Sequence, residues 1–348
     1  MSSADVAFEG PLTVAGDPLV VVENLSRHFR LGGHRSGRVV RAVDDVSLVL
    51  QRGETLGLVG ESGSGKSTLA RLLLRLDRPT SGRVHFEATD VFASSAREIR
   101  RLRREMQIVF QDPYASLNKR KTVEQIVSFP LVVHERALSR RERAVRVADL
   151  LELVGLRPEH AGAYPRQLSG GQCQRVSIAR ALALNPKLVV LDEAVSAVDV
   201  SIQAQILNLL RDLQERLSLT YLFVTHDLAV VRYMASTIAV MYHGRIVEMG
   251  PRESLFAHPQ HPYTHALLAS IPPTPGAEEQ AEVVLREASV SDTLPPGCRF
   301  HPRCPLGERS LCQTADPPLQ AVAAGHTVAC HFPQSADSLL AEVARAPA

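Results

Sequence analysis

One nine-residue segment, GESGSGKST at residues 60–68, restricts the fold of this chain more than any other. It fits the pattern G-x-x-x-x-G-K-[ST], follows the strand-like run TLGLV and precedes the helix-like run LARLLLRL. Its glycines let backbone N–H groups turn towards phosphate oxygens, and the start of the following helix adds partial positive charge. We therefore predict a nucleotide-binding loop between a buried strand and a helix. Its predicted contact residues are Gly60, Glu61, Ser62, Gly63, Ser64, Gly65, Lys66, Ser67 and Thr68.

Four side chains in and beyond this loop are suited to phosphate chemistry. Lys66 is long enough to reach the β and γ phosphates, and the Ser67 hydroxyl can bind Mg²⁺. Asp192 ends the apolar run LVVLD and suits a direct or water-mediated Mg²⁺ partner. The neighbouring Glu193 is placed to orient, or take a proton from, the water that attacks the γ phosphate. These motifs predict nucleotide chemistry but do not separate kinases, GTPases, helicases and transporters.

The composition disfavours some functional classes. The 348 residues include 39 basic and 37 acidic ones, which gives a net charge of +2, and no long basic block lies among aromatic residues. We therefore predict no nucleic-acid partner. The first ten residues lack a basic-then-apolar signal, and no apolar run approaches the roughly 18 residues that span a membrane. These features predict a cytoplasmic chain without a transmembrane segment.

The strand and helix patterns predict a mixed α/β fold. Three short apolar runs, TLGLVG, KLVVLDE and TYLFVTHD, have the pattern of buried parallel strands whose carboxyl ends carry a site. Before them, two strand-like segments around a glycine-rich loop predict antiparallel strands. Residues 139–156 have apolar positions at helical spacing, which predicts a helix. Residues 1–17 are polar and contain glycine and proline, so we expect a flexible leader.

A second motif, LSGGQCQR at residues 168–175, lies between the phosphate loop and Asp192. Together these motifs make the chain resemble the ATP-binding subunits of ABC transporters, whose signature loop reads LSGGQ. The resemblance implies that two nucleotide domains enclose two ATP molecules head to tail, so that each signature covers the γ phosphate held by the other domain. A helix N-cap is the alternative role for the signature serine. The implied ATP contacts here are Ser169, Gly170, Gly171 and Gln172.

The same resemblance assigns roles to four further positions. It implies that Phe29 stacks on adenine, although a buried strand phenylalanine is the alternative. It implies that Gln111 touches Mg²⁺ or the attacking water, that Asp199 communicates across the dimer and that His226 contacts the γ phosphate. The expected catalytic residues are Glu193, His226 and Gln111; the expected Mg²⁺ ligands are Ser67, Gln111 and Asp192; and Phe29, Gln111, Asp192 and Asp199 complete the expected ATP contacts. The chain departs from many relatives at Lys119, Ala194, Val195 and Val198.

The resemblance also implies a complete architecture. We expect an ABC-type P-loop NTPase fold with a RecA-like core, an antiparallel β subdomain, a helical insertion and a Cys-containing C-terminal extension. The expected boundaries are a leader at 1–17, a nucleotide-binding domain at 18–258 with a helical insertion at about 112–180, an extension at 259–333 and a tail at 334–348.

Longer stretches narrow the resemblance to one group of importers. FQDPYASLN, FAHPQHPYTHALLASIP and GCRFHPRCP are similar to the oligopeptide and dipeptide importer ATPases, a group that includes nickel importers. This resemblance implies an ATPase at the cytoplasmic face of the membrane that powers import of di- or oligopeptides. The implied partners are a second ATPase subunit, two transmembrane permease subunits and an extracytoplasmic solute-binding protein. The alternatives are import of nickel or another small solute, or a soluble ABC ATPase without a transport role.

Four of the five cysteines lie near the C-terminus, where a reducing compartment favours metal ligation over disulfides. Their spacing matches neither zinc-ribbon pairs nor a bacterial ferredoxin run. Three states stay open: a four-iron, four-sulfur cluster, which similar importer ATPases can carry, a zinc site, or free thiols. The fifth, Cys173, is expected to be a packed small side chain. The candidate ligands are Cys298, Cys304, Cys312 and Cys330.

Three histidines, His258, His261 and His265, also lie close together in the sequence. Pro259 and Pro262 are expected to break any regular helix that would align them. We therefore favour a packing or docking segment here over a metal site.

Overall fold

The computed structural model describes residues 17–31, 38–196, 198–271, 294–306 and 309–333. The predicted leader, except Asp17, and the predicted tail at 334–348 lie outside these residues. The strands are β1 Pro18–Leu31, β2 Arg38–Gln51, β3 Thr55–Val59, β4 Ser81–Phe86, β5 Thr89–Asp90, β6 Met106–Val109, β7 Leu188–Asp192, β8 Thr220–Thr225, β9 Thr237–Tyr242, β10 Arg245–Pro251, β11 Gln320–Ala323 and β12 His326–Val328. The helices are α1 Lys66–Leu73, α2 Ala96–Glu105, α3 Pro113–Ser116, α4 Val123–His134, α5 Arg140–Leu153, α6 Gly170–Leu182, α7 Val200–Leu217, α8 Leu228–Met234, α9 Arg252–Ala257, α10 Pro262–Ala269 and α11 Ser310–Thr314.

A parallel sheet forms the centre of the molecule, with the strand order β9-β3-β8-β7-β6. Every residue of β3, β7 and β8 is buried, as expected for strands covered on both faces. The register pairs Val59 with Thr225 and Asp192 with Val224, so the carboxyl ends of these three strands lie at one edge. The predicted parallel core is confirmed, and its topology brings together the residues that follow each strand.

The predicted antiparallel subdomain is also confirmed. β1 pairs with β2 on one side and with β4 on the other, and β5 extends β4. Leu19 and Val43 of this subdomain belong to the same buried cluster as Leu56 of β3 and Leu69 of α1. This packing holds α1, and therefore the phosphate loop before it, against two sheets.

Helices α3 to α6 lie between β6 and β7, where the helical insertion is expected. Thr122, Ser139 and Ser169 each begin a helix with a reciprocal capping box. The helix expected over 139–156 ends at Leu153, because Gly155 adopts a φ of 71° that stops the right-handed turn. The boundaries of the insertion as a domain stay a prediction.

The C-terminal extension packs onto the core of the nucleotide-binding domain. β12 pairs with β10, and β11 pairs with β12, so both strands extend the central sheet beyond β10. The buried Phe300 ring lies 5.3 Å from the Tyr242 ring and 5.5 Å from the Tyr263 ring, measured between centroids. The extension thus gains from the domain the apolar contacts that its own sequence supplies sparsely.

The segment with His258, His261 and His265 packs against the domain as predicted, but the prediction that Pro262 breaks a helix was wrong. His261 and His265 are buried, with 1% and 5% of their surface exposed. Pro262 does not break a helix; it is the first residue of α10, and His261 is the N-cap. The missing N–H of proline costs nothing at this position, because the first turn has no intrahelical acceptor for it.

Candidate active site

The phosphate loop joins β3 to α1 with a backbone that favours glycine. Gly60, Gly63 and Gly65 have φ values of 150°, 80° and 110°. At Gly65 a Cβ atom would lie 2.0 Å from the carbonyl oxygen of Ala42, which no side chain tolerates. Gly65 is also the N-cap of α1, and no side chain caps this helix start. The helix terminus is therefore arranged to receive an anion.

Lys66 lies inside the loop with 5% of its surface exposed. Its ammonium group donates to the carbonyl oxygens of Gly60 at 2.7 Å and Glu61 at 2.8 Å, and makes a longer contact of 3.4 Å with Ser64 Oγ. Burial lowers the pKa of Lys66, while the carboxylates around it act in the opposite direction. A phosphate oxygen that replaced the long Ser64 contact would form a charge-assisted hydrogen bond and favour the charged ammonium.

Ser67 and Asp192 meet at the end of β7. Ser67 Oγ donates a 2.9 Å hydrogen bond to Asp192 Oδ1. Burial raises the pKa of Asp192, although the Ser67 hydrogen bond opposes this shift. Hydroxyl and carboxylate oxygens are the ligands that Mg²⁺ prefers, and a cation beside Asp192 would stabilise its ionised form. The residues present therefore fit the predicted Mg²⁺ site.

The three predicted catalytic residues come together at Glu193. This residue has a φ of 49°, an uncommon conformation for a residue other than glycine and one that is often found at functional sites. Gln111 Nε2 donates to Glu193 Oε2 at 2.6 Å, although 82 residues separate the two. His226 Nδ1 lies 3.5 Å from Glu193 Oε1. A carboxylate, an amide and an imidazole thus lie next to the Ser67–Asp192 pair.

The signature residues begin α6. Ser169 Oγ accepts from the N–H of Gln172 at 3.3 Å, and Gln172 Oε1 accepts from the N–H of Ser169 at 2.9 Å. Ser169 is therefore a helix N-cap, and its contact with ATP stays a prediction. A Cβ atom at Gly171 would lie 2.5 Å from the Ile202 side chain, which gives this glycine a packing reason as well. Among the described residues, no hydrogen bond or ion pair joins the signature to the phosphate loop.

Phe29 and Asp199 lie on other parts of the surface of the domain. Phe29 is half-buried in β1, and the Arg27 guanidinium lies 4.3 Å from its ring centroid. Asp199 is the exposed N-cap residue of α7, and the next residue, Val200, has 82% of its surface exposed. Adenine stacking by Phe29 and communication by Asp199 stay predictions.

Sequence reasoning missed two residues that touch the phosphate loop. The backbone N–H of Glu61 donates to Tyr263 Oη at 2.9 Å. Arg303 Nη1 donates to both carboxylate oxygens of Glu61, at 3.0 and 2.8 Å. These contacts join residues 202 and 242 positions apart in the chain, so no local pattern could have indicated them.

The four C-terminal cysteines line one cavity of about 10 Å³. Burial raises the pKa of Cys298 to about 11 and those of Cys304 and Cys330 to about 12, so these thiols are protonated at neutral pH. Within the described part of the chain, no group of three or more His, Cys, Asp or Glu side chains has the geometry to hold a metal ion. The structure therefore does not support the predicted iron–sulfur or zinc site.

Comparison with known proteins decides the family. A family model described as ABC transporter matches residues 43–196, and one described as oligopeptide/dipeptide transporter, C-terminal region, matches residues 247–312. The chain is 54% identical over 319 residues to "Probable peptide ABC transporter ATP-binding protein y4tS" of Sinorhizobium fredii, covering 90% of each chain. The chain belongs to the ATP-binding subunits of the oligopeptide/dipeptide ABC transporter family. As a member of this family it is an ATPase.

Other relatives agree with this assignment. The oligopeptide transport ATP-binding protein AppF of Bacillus subtilis is 48% identical over 297 residues, covering 84% of this chain and 90% of the relative. The dimeric structure of the bacterial ABC transporter cassette MJ0796 has a TM-score of 0.60 at 32% identity, and covers 67% of this chain and 98% of that one. The expected ABC-type fold is therefore confirmed.

None of the helices in the described ranges is both long and apolar enough to cross a membrane.

Proposed function

We propose that this ATPase powers the import of di- or oligopeptides through a membrane ABC transporter. The observation that carries the proposal is the assembled group Gln111, Glu193 and His226 beside the phosphate loop, in a chain whose relatives are named peptide or oligopeptide transport ATP-binding proteins. The relatives named peptide or oligopeptide transport ATP-binding proteins support peptides over nickel or another small solute. The match of residues 247–312 to the oligopeptide/dipeptide transporter C-terminal region disfavours a soluble ABC ATPase without a transport role.

In the proposed reaction, water attacks the γ phosphorus of ATP, the bond to the β–γ bridging oxygen breaks, and ADP and phosphate leave. Glu193 accepts the proton of the water, while Gln111 orients the water through its amide. Lys66 and the loop N–H groups hold the β and γ phosphates, and His226 contacts the γ phosphate. When bound, Mg²⁺ neutralises charge on the phosphates, and Ser67, Asp192 and Gln111 are the residues that would hold it.

We propose that the site is completed by a second ATPase subunit. In the described part of the chain, the capped Ser169 and the two glycines after it make no hydrogen bond to the phosphate loop, which suits a signature that covers ATP on a partner. The exposed Val200 next to Asp199 offers an apolar contact at the start of α7. The remaining proposed partners are two permease subunits, which place the chain at the cytoplasmic face of the membrane, and an extracytoplasmic solute-binding protein.

The variant Glu193→Gln tests the chemistry. We expect it to bind ATP while turnover falls by at least about 10²-fold, because it removes the acceptor for the proton but keeps the hydrogen-bonding shape. Glu159→Gln, at an exposed position in the helical region, is the matched control and should hydrolyse ATP normally. Normal hydrolysis by Glu193→Gln would rule out the proposed general base.

Uptake by sealed vesicles that contain the native transporter tests the substrate. The probes are a labelled dipeptide, a labelled oligopeptide and Ni²⁺, each with wild-type protein and with Glu193→Gln. ATP-dependent uptake of either peptide by the wild type alone is the expected result. Uptake of Ni²⁺ only, or purification of the chain without permease subunits from gently solubilised membranes, would overturn peptide import.

A further inference from the structure

The phosphate loop is supported from outside by the C-terminal extension, residues 259–333. The hydroxyl of Tyr263 in α10 accepts the backbone N–H of Glu61, the first residue after Gly60 in the loop. Tyr263 is fully buried, and its ring packs against Tyr242 with centroids 4.7 Å apart. The hydrogen-bond acceptor therefore sits on a ring that has little freedom to move.

Arg303 makes a second contact with the same loop residue. Its guanidinium donates to both carboxylate oxygens of Glu61, and the two side chains keep 25% and 43% of their surface exposed. The hydrogen bond to Glu61 is the main reason that the pKa of Arg303 is raised. The carboxylate of Glu61 is a negative charge within the loop that is proposed to bind the negatively charged phosphates of ATP. Arg303 neutralises that anion.

The segment that carries Arg303 is itself firmly anchored. Phe300 lies in the buried aromatic cluster with Tyr242 and Tyr263. Arg299, with 7% of its side chain exposed, donates to the carboxylate of Asp44 and to the carbonyl oxygen of His243. Gly244, the next residue after His243, donates its N–H to the carbonyl oxygen of Ser64 in the phosphate loop at 2.8 Å.

We propose that Arg303 and Tyr263 are positioning residues for the phosphate loop, so that the affinity of the ATPase for nucleotide depends on the docked C-terminal extension. The inference rests on the proposed ATP-binding role of the loop. Arg303 acts by cancelling the charge of Glu61 and fixing its side chain away from the incoming phosphates. Tyr263 acts by fixing the backbone of Glu61, whose carbonyl oxygen also receives Lys66 Nζ.

Binding of ATP with Mg²⁺ to the full-length protein, measured by calorimetry, tests the proposal. For Arg303→Ala we expect Kd to rise about fivefold, the upper range for a partly exposed ion pair. Arg303→Lys keeps the charge but lacks the planar guanidinium, so its Kd should lie between those of Arg303→Ala and the wild type. For Tyr263→Phe, which keeps the ring and removes the acceptor, we expect a rise of about threefold to fivefold.

A double-mutant cycle separates positioning from general damage to the fold. If Arg303 acts through the carboxylate of Glu61, adding Arg303→Ala to Glu61→Gln should change Kd by less than about 1.5-fold. An equal loss in both backgrounds, or no loss in the wild-type background, would overturn the inference. Failure of the wild-type protein to bind ATP would instead refute the proposed function, so the two failures are distinguishable.

Discussion

The buried His261 makes the stability of the C-terminal extension depend on pH. Its ring is 1% exposed and its Nδ1 accepts the backbone N–H of Tyr263 at 3.1 Å, which requires that this nitrogen carry no proton. Burial lowers the pKa of His261 from 6.5 to about 4. Protonation therefore favours the unfolded chain. Neutral His261 makes its full contribution to the free energy of unfolding above pH 6.5, the pKa of the histidine in the unfolded chain. This contribution is lost as the pH falls from 6.5 towards 4.

The size of this effect follows from the two pKa values. At pH 5.0 the unfolded histidine is almost fully protonated and the folded one is mostly neutral, so the free energy of unfolding falls by about 2 kcal/mol relative to pH 7.5. In His261→Asn, asparagine preserves an N-cap acceptor without a titrating ring, so this part of the pH dependence should disappear.

Urea unfolding followed by circular dichroism at pH 7.5 and 5.0 measures the difference, since the chain has no tryptophan for fluorescence. His258→Asn, at an exposed position in the same segment, is the control and should retain the wild-type response to pH. If His261→Asn loses as much stability as the wild type between the two pH values, then His261 is not the neutral buried group that the structure indicates.

Two further predictions concern Gly65 and Cys173. Gly65→Ala should abolish measurable ATP binding in calorimetry and lower the free energy of unfolding by more than about 2 kcal/mol, because a Cβ would collide with the Ala42 carbonyl oxygen. Gly53→Ala shares a positive φ but meets no atom within 4 Å, so it should lose only about 1 kcal/mol and bind ATP normally; equal losses would contradict the steric argument. Burial raises the pKa of Cys173 to about 11, so mass spectrometry should find this thiol unalkylated by iodoacetamide at pH 8 until urea unfolds the chain, and rapid labelling of native protein would refute its burial.

Much of the nucleotide site could be predicted from sequence because its parts are encoded locally. A glycine-rich loop between an apolar strand and a helix carries its own conformational requirement, and Gly65 meets that requirement with a φ of 110°. Glu193 and His226 directly follow buried strands, and parallel strands bring their carboxyl ends to one edge. The resemblance to ABC ATPases then supplied Gln111 and the role of His226, which periodicity alone does not indicate.

The helix at Pro262 shows where local reasoning was wrong. A proline was expected to interrupt helical structure, but at the first helical position its missing N–H has no effect, and His261 caps the helix. Which of these two roles a proline takes depends on where the chain must turn to bury Tyr263, and that is decided by packing.

The sequence by itself determined the phosphate loop, three buried strands and the acidic residues at the end of one of them, because each depends on a few consecutive residues and the period of a strand or helix. Only the tertiary structure decided that the extension joins the edge of the central sheet, that four cysteines share one cavity, and that Arg303 pairs with Glu61. The physical reason is that an ion pair needs opposite charges only where two side chains meet, and many acidic and basic residues of a chain never meet. The sequence therefore does not indicate which residues 242 positions apart will form one.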